Sequence, residues 1–372
     1  MGSFPRIRTV HDSKFSETRA LLLNRSVHLE TEKQIQRPRN PGSQRSGYIA
    51  VIVVLGMIVL PAALTLHQVR ISAVVDAHFP DPSPYGYSVS LLLFVIPILG
   101  LVKWLVPQDG VKISKKSFVR TLALLVPVGA MLDFFFAHLF LKFPNPKATL
   151  GIPAPALGQC EKCHIFIGTP DHILLGSVPL EEYVFYFTGF TFVLLLYIWL
   201  DEYWLAAYSV PGSAKERAEF RRLLQFHPKT VVLGVALIAA ATLCRHFYDL
   251  HHPTEPAGFP GYFLFLVLAA LGPGAVLFPA ALPVINWRAL SLVLFITLLT
   301  SLLWEATLGV PYGWWDYQHS QMMGIFVTAW DLLPIEALCV WVAVSFQTVI
   351  VYEVVKRWQA SGRGLRHALF GE

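Results

Sequence analysis

The sequence predicts an all-α polytopic membrane protein with eight transmembrane helices, arranged as two tandem four-helix repeats of the same orientation. Three observations predict this fold: an apolar composition, a series of membrane-length apolar runs, and a Pro-x-Glu motif that occurs twice. Of the 372 residues, 55% are hydrophobic and only 14% are charged. A bilayer crossing needs roughly 20 apolar residues, and the runs that reach this length are 47–69, 87–106, 117–141, 173–200, 229–249, 260–283, 287–308 and 322–355.

The positions of lysine and arginine predict the orientation of these helices. With the N-terminus in the cytoplasm, 24 of the 29 basic residues fall on the cytoplasmic side and five on the outer side. This distribution follows the positive-inside rule, and it predicts a protein of the cytoplasmic (inner) membrane with both termini cytoplasmic. The formal net charge of +5 is then explained by topology and by contact with anionic lipids. No basic patch with interleaved aromatic residues indicates nucleic acid.

The segments between the apolar runs suggest the domain organisation. Residues 1–46 mix basic, acidic and proline residues without periodicity, which is typical of a disordered cytoplasmic tail. The first membrane repeat is expected over 47–200 and the second over 229–356, followed by a second cytoplasmic tail over 357–372. Residues 201–228 form a cytoplasmic connector, which contains either a short interfacial helix with one apolar face or a plain solvated linker.

A Pro-x-Glu motif recurs in the last apolar run of each repeat. The first copy is Pro179-Leu180-Glu181-Glu182, and the second is Pro334-Ile335-Glu336-Ala337. An ionised carboxylate costs about 3 kcal/mol or more inside a bilayer, so acids that recur at this depth predict a functional site. Helix capping, or pairing with buried hydroxyls and amides, is the alternative explanation. A proline at the first helical position would place the first glutamate of each motif beside the unpaired N–H groups of a helix start.

Two further acids lie in the predicted helices that precede the motifs. Asp133 is near the end of the third helix, and Glu305 is near the end of the seventh. Several carboxyl groups near one cavity can share protons, some acting as acids and others as bases. We therefore expect a site between the two repeats, with the candidate catalytic residues Glu181, Glu182, Glu336, Asp133 and Glu305.

Aromatic residues are concentrated around these acids. Aromatic faces stabilise cations, and a cavity that they line would exclude water. The alternative for part of the set is a belt at the membrane interface. Within the predicted helices every strongly basic residue other than Arg245 is one of the four residues at a helix end, which favours a neutral, apolar substrate. The candidate substrate-binding residues are Tyr183, Phe185, Tyr186, Trp304, Trp315, Tyr317, Trp330 and Trp341.

These motifs resemble the membrane lycopene cyclases, a family found as two small bacterial subunits, as a fused archaeal chain and as the cyclase domain of bifunctional fungal enzymes. The resemblance is carried by the two Pro-x-Glu copies, by the acids upstream of each, and by Trp315-Asp316-Tyr317 ahead of Gly324-Ile325. It covers most of 47–356 as two tandem halves, so it implies the fused form. The chain departs from the family at Ala337, where an acid is frequent, in an insertion at about 144–164, and in its longer N-terminal tail.

The resemblance implies an isomerase (intramolecular lyase) that cyclises the acyclic end group of lycopene or a similar carotenoid. A carboxylic acid protonates the terminal alkene, an internal double bond attacks the resulting cation, and a carboxylate removes a proton. Glu181, Glu182 and Glu336 would transfer protons, while Asp133 and Glu305 would orient or relay them. This chemistry requires no cofactor, and the sequence shows no dinucleotide-binding Gly-x-Gly-x-x-Gly after a strand. The implied partners are the apolar polyene, the lipid bilayer, and either a second copy of the chain or other carotenoid-pathway enzymes.

The outer loop of the first repeat carries an insertion at about 144–164 that indicates a competing function. Within it, Cys160-Glu161-Lys162-Cys163-His164 has the spelling of a c-type haem attachment site. An outer disulfide or inert loop and a different metal site are the alternatives. His246, His251 and His252 are further candidate metal ligands.

Two other classes of function therefore remain beside the cyclase. One is a haem-bearing or metal-bearing membrane redox protein on the same scaffold. The other is a non-catalytic carotenoid-binding protein, which would co-purify with an unaltered pigment.

Overall fold

A computed structural model of the protein describes residues 84–105, 114–157, 176–209, 223–254 and 258–370. The helices in this part of the chain are α1 (Gly86–Ser90), α2 (Leu92–Leu105), α3 (Lys115–Phe140), α4 (Leu180–Trp199), α5 (Pro228–His251), α6 (Gly261–Ala281), α7 (Trp287–Trp304), α8 (Glu336–Ala360) and α9 (Leu365–Phe370). The strands are β1 (Leu141–Lys142), β2 (Pro153–Ala156), β3 (Gly176–Pro179), β4 (Asp316–Tyr317), β5 (Phe326–Val327) and β6 (Leu333–Pro334).

Seven helical stretches among the described residues are long and apolar enough to cross a membrane, which confirms an all-α polytopic membrane protein. The first predicted helix, 47–69, lies outside the described residues, as do the tail at 1–46 and positions 210–222 of the connector. The count of eight therefore stays a prediction. The seven stretches are Gly86–Lys103, Lys115–Phe140, Leu180–Trp204, Pro228–His251, Gly261–Ala281, Trp287–Gly309 and Glu336–Ala360.

The two helices with the Pro-x-Glu motifs begin later than the apolar runs predicted. The predicted start near 173 is wrong for α4, because 176–179 forms β3 instead. The predicted start near 322 is wrong for α8, because the β5–β6 hairpin occupies 326–334. Pro179 is the N-cap of α4 and Pro334 belongs to β6, so neither proline takes the predicted first helical position. Proline has no N–H to donate, and both prolines therefore fit where a strand ends and a helix is about to begin.

Helices α4 and α8 form the centre of the bundle. They pack on each other, α4 also packs on α2, α3 and α7, and α8 also packs on α3, α6 and α7. Their burial agrees with this position, since 72% of the α4 stretch and 56% of the α8 stretch are buried, compared with 17% for α5. The outer helices expose large apolar side chains such as Val232 and Phe295, which suits contact with lipid.

Contacts between helix termini show that the helices alternate in direction. The first residues of α1, α4, α6 and α8 lie beside the last residues of α3 and α7, at the end of the bundle that also carries the sheets. We call this the site end. There, β1 pairs with β4 in antiparallel register, with Leu141 opposite Tyr317. The pairs β2–β3 and β5–β6 are antiparallel as well.

A buried polar cluster joins α4 to α8 at the opposite end of the bundle. The Tyr197 hydroxyl donates to Oε1 of Glu353 at 3.1 Å, and the side-chain amide of Asn286 donates to Oδ1 of Asp201 at 3.1 Å. Nζ of Lys356 lies 2.9 Å from Oε1 of Glu202. Charged groups are tolerated in such a place because they are paired and hydrogen-bonded. The cluster therefore holds the two central helices together at a distance from the site end.

Candidate active site

The five candidate catalytic acids all lie at the site end, and all are buried. The exposed fraction is 2% for Asp133 and Glu181, 4% for Glu182, 3% for Glu305 and 0% for Glu336. Asp133 comes from the end of α3, and Glu305 begins a π-helical turn that follows α7. The other three come from the first turns of α4 and α8. The packing of these four helices therefore brings together the acids that the sequence singled out.

Electrostatic interactions join the acids into one group. Tyr262, at the start of α6, interacts with Glu305, Glu182, Glu336 and Asp133. Glu182 interacts in turn with Glu181 and Glu305. Among the described residues no hydrogen bond joins Glu181 directly to Glu336; Glu181 interacts with Glu182, and Glu336 is connected to the group through Tyr262.

Glu181 and Glu336 have closely similar surroundings. Oε1 of Glu181 accepts hydrogen bonds from the backbone N–H of Leu150 at 2.6 Å and from the Ser88 hydroxyl at 2.5 Å. Oε1 of Glu336 accepts the backbone N–H of Met323 at 2.5 Å. The Oε2 atom of each glutamate is buried without a partner in the described part of the chain. Each glutamate therefore holds a loop that precedes its own helix.

The two loops that these glutamates bind share an unusual backbone conformation. The residue after each bound N–H group is a glycine with positive φ: 71° for Gly151 and 91° for Gly324. Glycine adopts this left-handed region without the steric cost that a Cβ would bring. The local sequence thus allows the tight turn that presents the N–H group to the glutamate.

Glu305 receives more hydrogen bonds than the other acids. Its Oε2 accepts the Tyr317 hydroxyl at 2.6 Å, and its Oε1 accepts Nε1–H of Trp341 at 2.8 Å and the Ser301 hydroxyl at 3.4 Å. Burial raises the pKa of Tyr317 well above its ordinary value, and the charge of Glu305 acts in the same direction. The Tyr317 hydroxyl therefore keeps its proton and remains a donor to Glu305.

Asp133 and Glu182 have fewer donors. Glu182 Oε1 accepts the Tyr87 hydroxyl at 2.6 Å. Oδ2 of Asp133 is buried without a partner, and no described residue donates a hydrogen bond to this side chain. Asp133 and Glu182 also interact electrostatically. The site thus contains carboxyl groups with very different hydrogen-bond environments.

Six aromatic side chains pack together beside the acids, and we call them the aromatic cluster. The Trp304 ring centroid lies 4.8 Å from Trp315, 5.2 Å from Phe94 and 5.3 Å from Phe185. Four of the six were predicted from the sequence, and they converge from α4, α7, α8 and the segment that follows α7. The members of the cluster are Tyr87, Phe94, Phe185, Trp304, Trp315 and Trp341.

The remaining predicted aromatic residues have different positions. Tyr317 contacts Glu305 directly. The ring centroid of Tyr186 lies 5.8 Å from that of Phe185, and Tyr186 interacts electrostatically with several of the acids. The Tyr183 hydroxyl donates to the carbonyl of Pro155 at 2.5 Å, on strand β2. Trp330 lies in the turn between β5 and β6. No ring contact joins either of these last two to the aromatic cluster in the part of the chain that the structure describes.

Sequence reasoning missed four residues of the site. Tyr87 and Ser88 bind acids, Phe94 belongs to the aromatic cluster, and Tyr262 interacts with four of the acids. A repeated Gly-Tyr pair could have indicated two of them, because Gly86-Tyr87 begins α1 and Gly261-Tyr262 begins α6. Neither pair carries a charge inside an apolar run, so neither was as conspicuous as the acids.

The described residues contain no group of three or more His, Cys, Asp or Glu side chains that could hold a metal ion. The predicted ligands His246, His251 and His252 are therefore not part of such a group. Nδ1 of His251 lies 2.7 Å from the Phe247 carbonyl of its own helix. The haem or metal hypothesis for Cys160, Cys163 and His164 stays a prediction, because these residues lie outside the described ranges.

Comparison of the chain with protein-family models, with curated proteins and with solved structures finds no match.

Proposed function

We propose that the protein is a carotenoid cyclase, which closes a ring on the acyclic end group of lycopene or a similar polyene. The observation that carries this proposal is the group of five buried acids beside the aromatic cluster, where α4 and α8 meet. Carboxyl groups supply both the acid and the base that ring closure needs. Aromatic faces stabilise the intermediate cation, and burial keeps away the water that would capture it.

The proposed reaction balances without an oxidant or a reductant. A carboxylic acid adds its proton to the terminal carbon–carbon double bond of the substrate, which leaves a tertiary cation. The electron pair of a neighbouring double bond forms the new ring bond and moves the positive charge onto the ring. A carboxylate then removes a proton from a ring-region carbon, and a double bond forms. Substrate and product therefore have the same mass.

We also infer that the chain consists of two related four-helix halves. In support, α4 packs on α2 and α3, while α8 packs in the same way on α6 and α7. Pairs of backbone hydrogen bonds repeat between the halves: Leu180 N–H donates to Ile152, and Ile335 N–H donates to Ile325, both at 3.0 Å. Two more such bonds cross between the halves, from Asn145 to Gly313 and from Gln318 to Phe140.

This correspondence suggests that the additional residues of the first half lie further along the chain than the predicted insertion at 144–164. The halves match as far as Ile152 and Ile325, which precede β2 and β5. Residues 157–175 then separate β2 from β3, whereas only 328–332 separate β5 from β6. We therefore place the insertion between β2 and β3, rather than at the predicted 144–164.

Production of the protein in lycopene-accumulating cells tests the cyclase proposal. We expect a cyclic product with the mass of lycopene from the wild-type chain. Asp331→Asn is a control variant that removes an exposed acid, and the positive φ of 52° at this position suits asparagine. This variant should convert lycopene as the wild type does.

Two results would count against the cyclase. Unchanged lycopene in cells whose membranes contain the protein would contradict it. Unaltered pigment that co-purifies with the protein would instead favour the non-catalytic carotenoid-binding protein.

A further inference from the structure

We propose that the two halves divide the acid–base work. Asp133 donates the proton that starts ring closure, and Glu305 accepts the proton that the cyclised cation releases, while Glu181 and Glu336 position the loops around the site. The assignment rests on the proposed cyclase function. It is argued from the hydrogen-bond donors around each carboxyl group.

Glu305 has the surroundings of a carboxylate. Donors reach both of its oxygens, from Tyr317 on one side and from Trp341 and Ser301 on the other. An indole N–H can only donate, so the oxygen it meets must accept. Hydrogen bonds of this kind stabilise the ionised form of a buried acid. Glu305 is therefore prepared to receive a proton from the cyclised cation.

Asp133 has the surroundings of a neutral acid. It is 2% exposed and receives no hydrogen bond from the described residues. A buried charge without donors is costly, so the group keeps its proton. Glu182, which is nearby and accepts the Tyr87 hydroxyl, is the better stabilised of the two. Two neighbouring buried carboxyls do not both ionise at low cost, and Asp133 is accordingly the proton donor.

The positions of these two acids in the chain support the division. Asp133 lies in the last two turns of α3, and Glu305 follows the last residue of α7, the corresponding helix of the second half. The crossed backbone hydrogen bonds make Phe140 and Gly313 corresponding positions. Asp133 lies seven residues before Phe140 and Glu305 eight before Gly313, and the one residue that the π-helical turn adds accounts for the difference. Related positions have thus acquired opposite surroundings, because Trp341 and Tyr317 reach only Glu305.

Glu181 and Glu336 fit a positioning role. Each uses Oε1 to hold a backbone N–H, from Leu150 or Met323, ahead of a glycine with positive φ. The loops that they hold lead into β2 and β5, which pair with the strands that precede α4 and α8. Loss of either of these hydrogen bonds would therefore disturb the start of a central helix.

After one turnover Glu305 carries the proton that it took from the cyclised cation, and Asp133 is left with a negative charge. The proton must return before the next substrate reacts. Tyr186 and Tyr262 each interact electrostatically with both acids. Neither tyrosine makes a hydrogen bond to these acids among the described residues, so the proton returns by exchange with water after the product has left.

Deuterium uptake distinguishes the donor from the acceptor. Membranes that contain the full chain are incubated with lycopene in deuterium oxide, and recovered lycopene and products are analysed by mass spectrometry. Glu305→Gln should form no cyclic product but should still protonate the end group reversibly, so recovered lycopene gains deuterium. Asp133→Asn should give neither product nor deuterium uptake. Tyr317→Phe, which removes one donor from Glu305, should lower product formation while deuterium uptake continues.

The same experiment tests the positioning role of the other two glutamates. A glutamine at position 181 or 336 keeps an oxygen that accepts the loop N–H, so these variants should stay within about tenfold of wild-type conversion. Glu181→Ala and Glu336→Ala lose the acceptor and should lose most of the product. If both glutamine variants are as inactive as Asp133→Asn, these glutamates transfer protons and the assignment is wrong.

The outcomes separate the two proposals. A wild-type protein that neither forms a cyclic product nor takes up deuterium would reject the cyclase, and the role assignment with it. A wild-type protein that cyclises lycopene, together with an active Asp133→Asn or a Glu305→Gln that takes up no deuterium, would overturn the role assignment alone. An inactive Glu305→Asp, which keeps the carboxylate, together with a normal amount of protein in the membrane, would also count against Glu305 as the base.

Discussion

Asp133 and Glu305 differ less in their own chemistry than in what surrounds them. Both are carboxyl groups at the ends of apolar helices, and both are almost fully buried. Tyr317 and Trp341 donate to Glu305, whereas no described residue donates to Asp133. At the scale of single residues, the donors within hydrogen-bond distance therefore distinguish two similar acids, because such donors favour the ionised form.

Gly309 is expected to be essential for the packing of the aromatic cluster. A Cβ at this position would lie 2.2 Å from Cζ2 of Trp315. The Trp315 indole would then have to move away from Trp304, whose ring centroid lies 4.8 Å from its own. Overpacking of this kind costs about 1–3 kcal/mol, so Gly309→Ala should lower both thermal stability in detergent and lycopene conversion.

Gly272→Ala is the matched control for this prediction. Gly272 lies within α6, and no atom lies within 4 Å of a Cβ at that position. The change should therefore be neutral, or should stabilise the helix by up to about 1 kcal/mol. Equal losses in the two variants would show that the contact with Trp315 is not the cause.

At the scale of elements, the starts of α4 and α8 are defined by the same arrangement. In each case a two-stranded antiparallel pair precedes the helix, a proline ends the second strand, and a glutamate in the first turn holds a loop N–H. The strands take up the residues that the apolar pattern had assigned to the helices. The acids consequently lie at the very ends of the helices, where loop donors reach them.

The two loop glycines should respond differently to alanine. Both have positive φ, so each substitution strains the backbone by about 1 kcal/mol or more. A Cβ on Gly151 would meet nothing within 4 Å, whereas a Cβ on Gly324 would lie 2.7 Å from Cβ of Tyr248. Gly324→Ala should therefore lower the thermal unfolding temperature more than Gly151→Ala does. A larger effect of Gly151→Ala would contradict this account of the second loop.

At the scale of the whole molecule, the bundle keeps its two polar regions at opposite ends. The acids and the aromatic cluster lie at the site end, while Lys356 and its acidic partners join α4 to α8 at the other. The central helices are thus held at one end by ion pairs, and at the other by the elements that form the site. At the site end, Arg245 is paired with Asp249.

The location of the two chain termini tests the predicted number of membrane helices. With eight membrane helices both termini would lie on the same side, and the distribution of basic residues predicts that this side is the cytoplasm. Reporter fusions at the N- and C-termini should therefore both report a cytoplasmic location. Termini on opposite sides would show that the chain crosses the membrane an odd number of times, and that 47–69 is not a membrane helix.

Much of the fold and part of the site could be predicted from the sequence. The apolar runs located the described membrane helices, and the Pro-x-Glu motifs identified the two central ones. The partners of the acids could not be predicted. Tyr87 and Glu182 are 95 residues apart in the chain, and helices that are apolar on every side give no periodic signal for the face that turns inward.

The sequence by itself determined which segments are long and apolar enough to cross a membrane and which acids those segments carry. Both follow from the local cost of placing charge in an apolar run, which any short segment reveals. Only the tertiary structure decided which acids are surrounded by donors and which are isolated. That distinction depends on side chains brought together from distant helices, because the protonation of a buried carboxyl is determined by the groups within hydrogen-bond distance rather than by its neighbours in the chain.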